Sequence, residues 1–399
     1  MKKVRMAICG AGSRGSQLTK DVLCLLDTVE VVAICDQFQK KAEELAQAVQ
    51  EKMGNTPAVY TDYIKMLDES GADALLVATS ITTHATISIA AMERGIAVGM
   101  EVGGSSGEEE CHRLVEAYER TKTPFMFLEN CCYGKNELLA ASLTKRGMLG
   151  DVVYCHGAYM HDCRELVCKG DGNGYNFRLE MMTNGDFYPT HELGPICKVL
   201  NIGRGNRMVS LSSRASVPKG LSDYVSRKEE FADLRNHYFC RGDIIETLIT
   251  CENGELINIR LDTSLPTYYS REITVRGTRG LFREDGSIVM MDGEEYEWYD
   301  DAVGTAKKYE ELLPQEWKDI PQEALAAGHQ GMDYLMLTSF INALLSGKEM
   351  PVDVYDAVTW MCVGYLTEQS IAQGGASVEI PDFTKGAYKT RQPRDVVDL

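Results

Sequence analysis

The chain has 399 residues, 44% of them apolar and 25% charged, a length and balance that suit a soluble globular protein of two or more domains. Its formal net charge of −18 argues against nucleic acid or an anionic membrane surface as a partner, because a phosphate-rich surface would repel it. No apolar run approaches the roughly 20 residues that a membrane-spanning helix needs.

The N-terminal apolar run, residues 6–11 with a glycine included, is too short for a secretory signal. The 13 cysteines are scattered, contain no Cys-x-x-Cys pair and read as reduced thiols. A cytoplasmic protein is expected. Along the first 130 residues, strand-length apolar runs at 4–9, 29–35, 74–78, 97–100 and 125–128 alternate with helical patterns. These include a stretch from the glycine loop to about residue 26, a short helix at 62–68 capped by Asp62, and an amphipathic helix at 108–121. Such alternation predicts a parallel sheet covered on both faces by crossover helices. Beyond residue 130 the texture changes. A helix at 134–146 is followed by strands at 152–161, 209–215, 244–251, 256–263 and 271–276, rich in β-branched residues and separated by glycines. They predict a mostly antiparallel sheet. Two amphipathic helices, 331–345 and 355–372, close the chain. The expected architecture is α/β followed by α+β, with domains at 1–130 and 131–399.

The segment Gly10-Ala-Gly-Ser-Arg-Gly15 follows the first strand directly and opens a helix. That is the context in which a Gly-x-Gly-x-x-Gly pattern binds a dinucleotide: Gly10 permits the turn, Gly12 the approach of the pyrophosphate, and Gly15 close helix–strand packing. Ser13 and Arg14 lie at the helix start, where free N–H groups favour phosphate. Asp36 ends the second strand about 20 residues later, the usual place for a carboxylate on the adenosine ribose. It would repel a 2′-phosphate, and Gln37 and Phe38 supply no guanidinium to receive one, so NAD is expected rather than NADP. Thr79, Ser80 and His84 follow the third main strand and Glu101 the fourth, at the carboxyl ends where such sheets bind ligands.

The second half concentrates groups fit for proton transfer. Tyr159 and His161 stand two apart in a strand and share a face. Tyr188 and His191 stand three apart at a helix start and share a side. Glu129 ends the fifth main strand at the domain boundary, facing the cofactor. Imidazole changes charge near neutral pH, and a phenol serves as acid or base. Cys155, His156, His161 and Cys163 are close in sequence but match no zinc spacing, so no metal is expected.

The glycine loop, Asp36 and the strand ending Glu101-Val-Gly103 resemble the Gfo/Idh/MocA oxidoreductase superfamily. Within it, Leu128-Glu-Asn-Cys-Cys-Tyr-Gly134, Gly157-Ala-Tyr-Met-His-Asp162 and Tyr188-Pro-Thr-His-Glu-Leu-Gly-Pro195 resemble glycoside hydrolase family 109, the NAD-dependent branch typified by α-N-acetylgalactosaminidases. The resemblance implies a glycosidase working by transient oxidation of the sugar at C3. Loss of the C2 proton, elimination at C1, addition of water and return of the hydride then follow, with no net redox change. It places Glu129, Tyr159, His161, Tyr188 and His191 on the family's functional positions and puts Asn130 and His161 beside the dinucleotide. On this reading Tyr188 and His191 handle protons at C2 and C3. Tyr159 and His161 stand near the nicotinamide and leaving group, and Glu129 orients. The expected partner is a small-molecule glycoside or sugar, bound by a homo-oligomer.

Two departures bear on substrate. Position 102 is Val where most superfamily dehydrogenases carry a lysine, which favours the glycosidase over a plain dehydrogenase. Residues 103–107 lack an expected proline, and Glu192 stands where the branch often has glycine. Both changes are expected to lie close to the cleft. The alternative function is a sugar or cyclitol 3-dehydrogenase, or a glycoside 3-oxidase, with net oxidation. A further reading is a dinucleotide-sensing or assembly protein that has lost the chemistry.

Overall fold

The computed structural model describes residues 3–169 and 182–399. Its first sheet contains β1 (Val4–Cys9), β2 (Val29–Cys35), β3 (Ala58–Tyr60), β4 (Ala74–Val77), β5 (Ala97–Glu101) and β6 (Phe125–Leu128). All pairings are parallel, in the order β3-β2-β1-β4-β5-β6, the order of doubly wound dinucleotide folds. Every residue of β4, β5 and β6 is buried, as expected for continuous apolar runs covered on both faces. The crossovers are α1 (Ser13–Asp21), α2 (Gln39–Met53), α3 (Tyr63–Glu69), α4 (Ile81–Met92) and α5 (Glu108–Thr121). Asp62 caps α3, its Oδ1 accepting from the N–H groups of Ile64 and Lys65 at 2.8 and 3.3 Å. The helix expected to reach residue 26 stops at Asp21 and gives way to a 3-10 turn, Leu23–Leu25. The three-residue β3 was not anticipated.

The helix α6 (Lys135–Lys145) leads into a second sheet of β7 (Val152–Met160), β8 (Met208–Ala215), β9 (Ile244–Cys251), β10 (Leu256–Asp262), β11 (Thr274–Gly277), β12 (Gly280–Arg283), β13 (Ile288–Met291) and β14 (Val378–Glu379). Its order is β13-β12-β11-β7-β10-β9-β8-β14, antiparallel throughout except for the parallel β7–β10 pair. In β9 buried and uncovered residues alternate, so one face packs inward while the other stays open. The strand expected at 271–276 begins only at Thr274, because Glu272 adopts a left-handed conformation, φ 47°, that interrupts extended backbone.

The two closing helices, Met332–Ser346 and Val354–Ala372, return to the first sheet. Trp360 packs edge-on against Phe127 at 6.2 Å, and the Phe127 N–H donates to the carbonyl of Val352 at 3.0 Å. One continuous core therefore joins both sheets. No helix among the described residues is long and apolar enough to cross a membrane.

Candidate active site

A cleft of about 790 Å³ opens along the carboxyl ends of the first sheet, and the second half supplies its opposite wall. Gly10 is held at φ 102°, where a Cβ would come within 2.3 Å of the Ala78 carbonyl; at Gly15 a Cβ would lie 1.9 Å from the Gly10 carbonyl. Both glycines are required by close backbone packing. At Gly12 the chain leaves open space, with nothing within 4 Å of a would-be Cβ, which suits the approach of a ligand. Asp36 binds the loop to β2: its Oδ2 accepts from the Ala11 N–H at 2.8 Å and its Oδ1 from the Phe38 N–H at 2.9 Å. Ser13, Thr79, Ser80 and Asn130 also line the cleft.

Arg14 is committed to protein carboxylates. It reaches Glu101 at 2.9 Å and grips Asp333 through both terminal nitrogens, at 2.7 and 2.8 Å. Asn130 donates to the same Asp333 at 2.9 Å. Burial opposes ionisation of Asp333, but hydrogen bonds from His329 and Arg14 hold it well below the ordinary carboxylate range. Burial raises Glu101, with Arg14 pulling the other way. His84 is 4% exposed and hydrogen-bonded at Nε2 to the Thr79 carbonyl, 3.0 Å away; burial lowers it to about 4, so it sits neutral in the cleft wall.

The second half brings its aromatic and imidazole groups together. His191 Nδ1 lies 2.6 Å from Glu129 Oε1, and Glu129, fully buried, also accepts from the Cys131 N–H at 3.0 Å. Despite burial, the His191 partner keeps Glu129 below its usual value. The rings of Tyr188 and His191 are 4.9 Å apart, Tyr159 and Tyr188 5.3 Å, and Tyr159 and His191 5.4 Å. Tyr159 Oη lies 3.4 Å from His161 Nδ1. Burial raises both Tyr159 and Tyr188, so each phenol keeps its proton, and burial lowers His161.

Three members of this constellation escaped the sequence reading. Tyr269 packs against His161 at 5.3 Å and Tyr159 at 6.3 Å, and its hydroxyl accepts from buried Arg271 at 2.8 Å. His329 lines the cleft with its Nδ1 2.8 Å from Asp333 Oδ2. Tyr269 lies in a stretch with no periodicity, and His329 is an isolated histidine; only their places in the fold reveal them. Asp333 opens what reads locally as an apolar helix.

Glu192 stays close to the cleft without lining it. It is fully buried and lies behind the cleft, crowding Gly157, where a Cβ would come 2.9 Å from the Glu192 carbonyl. Its neighbour there is Asp186, and burial raises both carboxyls, Asp186 to about 6. Glu129, Cys131 and His191 form a group of three possible metal ligands, with ligand atoms within 4.8 Å of one another. Burial raises the Cys131 thiol above its ordinary range.

Residues 133–390 match the family described as Glycosyl hydrolase 109, C-terminal domain, and residues 4–128 match the oxidoreductase family with an NAD-binding Rossmann fold. An alpha-N-acetylgalactosaminidase from Tannerella forsythia is 35% identical over 98% of this chain and 88% of its own. The chain belongs to glycosyl hydrolase family 109. A family 109 protein from Parabacteroides distasonis is 34% identical over 98% of this chain and 89% of its own. Solved structures confirm the family 109 chain's fold. An NAD binding oxidoreductase from Klebsiella pneumoniae superposes with TM-score 0.70 at 15% identity, covering 95% of this chain and 99% of that one. An oxidoreductase from Agrobacterium radiobacter in complex with NAD+ gives 0.69 at 14%, with the same coverage. This family 109 member is thus an enzyme with an NAD-binding Rossmann half and a glycosidase half.

Proposed function

We propose that the enzyme hydrolyses a small glycoside through transient oxidation of its sugar, with NAD retained through the cycle. The Tannerella relative's name makes N-acetylgalactosaminides the first class to test. The observation that carries the reading is the 2.6 Å contact between His191 Nδ1 and Glu129 Oε1, in a cleft that also contains the glycine loop.

The cleft's residues fit a dinucleotide. Gly12 leaves open space at the start of α1, and Asp36 stands at the end of β2. Asp36 disfavours a 2′-phosphate, and Lys41, the cation nearby in the cleft, lies over the Phe38 ring at 5.3 Å. NAD, when bound, supplies a hydride acceptor that becomes a donor later in the same cycle.

The remaining chemistry belongs to the chain. Glu129 fixes the His191 proton on Nδ1, which leaves Nε2 as the basic nitrogen to withdraw a proton from the sugar. Tyr188 and Tyr159 retain their protons and serve as donors to sugar oxygens. His329 meets Arg14 and Asp333 through Nδ1 and keeps Nε2 for a leaving group at the cleft mouth. Val102 is buried and supplies no relay lysine.

The test is turnover of a glycoside panel with catalytic amounts of NAD in deuterated water. Aglycone release far exceeding NADH, with deuterium at C2 of the product, is expected. Stoichiometric NADH would show net oxidation instead, and protium retained at C2 would rule out elimination.

A further inference from the structure

Two cysteines sit side by side in the floor of the cleft. Cys9 ends β1 and Cys35 ends β2, and the two are directly paired in the parallel register. Side chains at paired positions leave the same face of a sheet, and neighbouring strands lie about 4.7–4.9 Å apart. A disulfide accepts Cα separations of about 4.4–6.8 Å, so this placement allows one without moving either strand far. Both thiols line the cleft although each residue is only 3–4% exposed, a setting open to a molecule the size of water.

Each cysteine adjoins a residue assigned above to the dinucleotide. Cys9 precedes Gly10, whose N–H donates to the Cys35 carbonyl at 2.8 Å, and Cys35 precedes Asp36. We propose that Cys9 and Cys35 are a peroxide-sensitive pair whose disulfide, once closed, expels the dinucleotide, an inference that rests on the cofactor placement proposed above.

The Cys9 thiol hydrogen-bonds to Cys35 and holds it below the ordinary thiol range against the effect of burial, while Cys9 itself is pushed up. Cys35 is therefore the sulfur that ionises first. Its thiolate attacks one oxygen of hydrogen peroxide, the O–O bond breaks, and hydroxide leaves to take up the proton that Cys35 released. The resulting sulfenic acid is attacked by Cys9; the S–S bond forms, the S–O bond breaks, and the oxygen departs as water with the Cys9 proton. The two sulfurs lose two electrons together and one peroxide becomes two waters. A dithiol reductant reverses the step.

Closure matters because a disulfide draws its Cβ atoms to about 3.5–4.5 Å. The ends of β1 and β2 must tilt toward each other, which draws the Gly10 turn away from the Ala78 carbonyl that backs it on the β4 side and disturbs the loop meant for the pyrophosphate.

The test treats the whole protein with hydrogen peroxide, with and without NAD, blocks free thiols and maps peptides by mass spectrometry. NAD affinity is then measured by calorimetry. A linked Cys9–Cys35 peptide is expected, slowed by bound NAD, with a dissociation constant raised at least about tenfold and restored by dithiothreitol. Cys9→Ala and Cys35→Ala should each lose the link and the peroxide response. Absence of the link, a linked protein with unchanged affinity, or a variant that still responds would overturn the proposal. A reduced protein that forms the link but never binds NAD would overturn the cofactor placement instead.

Discussion

Arg14 lays both terminal nitrogens against the carboxylate of Asp333, 319 positions further along the chain, and so fastens the glycine loop to a helix from the far end of the sequence. Asn130 and His329 meet on the same carboxylate. In Asp333→Asn the guanidinium keeps Glu101 but loses its second anion. Stability should fall by roughly 2–4 kcal/mol, since breaking one side of a largely buried pair strands the other charge. NAD binding should weaken about tenfold, read by calorimetry. Unchanged unfolding and unchanged affinity would show that the clamp is incidental.

Glu129→Gln tests the imidazole's orientation. A carboxamide can turn its N–H toward Nδ1 and drive the histidine proton to Nε2, the nitrogen needed as base. Turnover should drop by about 10²–10⁴ with a much smaller change in KM, because the contact acts in the reaction more than in binding. A loss below threefold in kcat would remove His191 from the role of base.

Gly12 and Gly15 should separate folding from ligand binding. At Gly15 an added methyl meets the Gly10 backbone, so Gly15→Ala should cost about 1–3 kcal/mol in unfolding experiments, or more. At Gly12 it meets only open space, so Gly12→Ala should unfold like the parent while NAD affinity falls about tenfold or more. Equal NAD affinity in Gly12→Ala would place the dinucleotide elsewhere.

Asp186 has a pH signature opposite to the usual acid sensitivity. Its folded value, raised by burial to about 6, lies above the unfolded value near 3.9. Between those limits the folded state holds more protons than the unfolded one, so stability from this group is present at low pH and declines as pH rises through 6. Asp186→Asn can still accept from the Tyr188 N–H, a 3.1 Å contact in the parent. It should gain about 1–3 kcal/mol over the parent at pH 8 and nothing near pH 4. Urea unfolding at the two pH values decides it; a gain that does not vary with pH would mean the carboxyl titrates normally.

Much of this organisation was legible because its signals are local. Residues 4–9 and 29–35 are apolar apart from Arg5 and Glu30, residues 125–128 wholly so, and they form β1, β2 and β6. Tyr188 and His191 do come together, although the helix begins at Thr190 and Tyr188 lies just before it. Short strands such as Ala58–Tyr60 and Gly280–Arg283 carry too few residues to show a period. Asp333 was hidden for a different reason: within its own helix it is one polar residue in an apolar stripe, and only the return of that helix to the first sheet gives it Arg14 as a partner. Glu192, next to His191 in sequence, is left out of the cleft lining, since on a helix the next residue points about 100° away.

That return has a consequence for the order of events on the ribosome. Phe127 is sealed by Trp360, and β6 and α5 pack against the helix Val354–Ala372. The cofactor half emerges from the exit tunnel before that helix, and its apolar flank stays uncovered until the helix has been made. A protein cut after residue 130 would carry the same bare flank permanently and should aggregate when expressed alone.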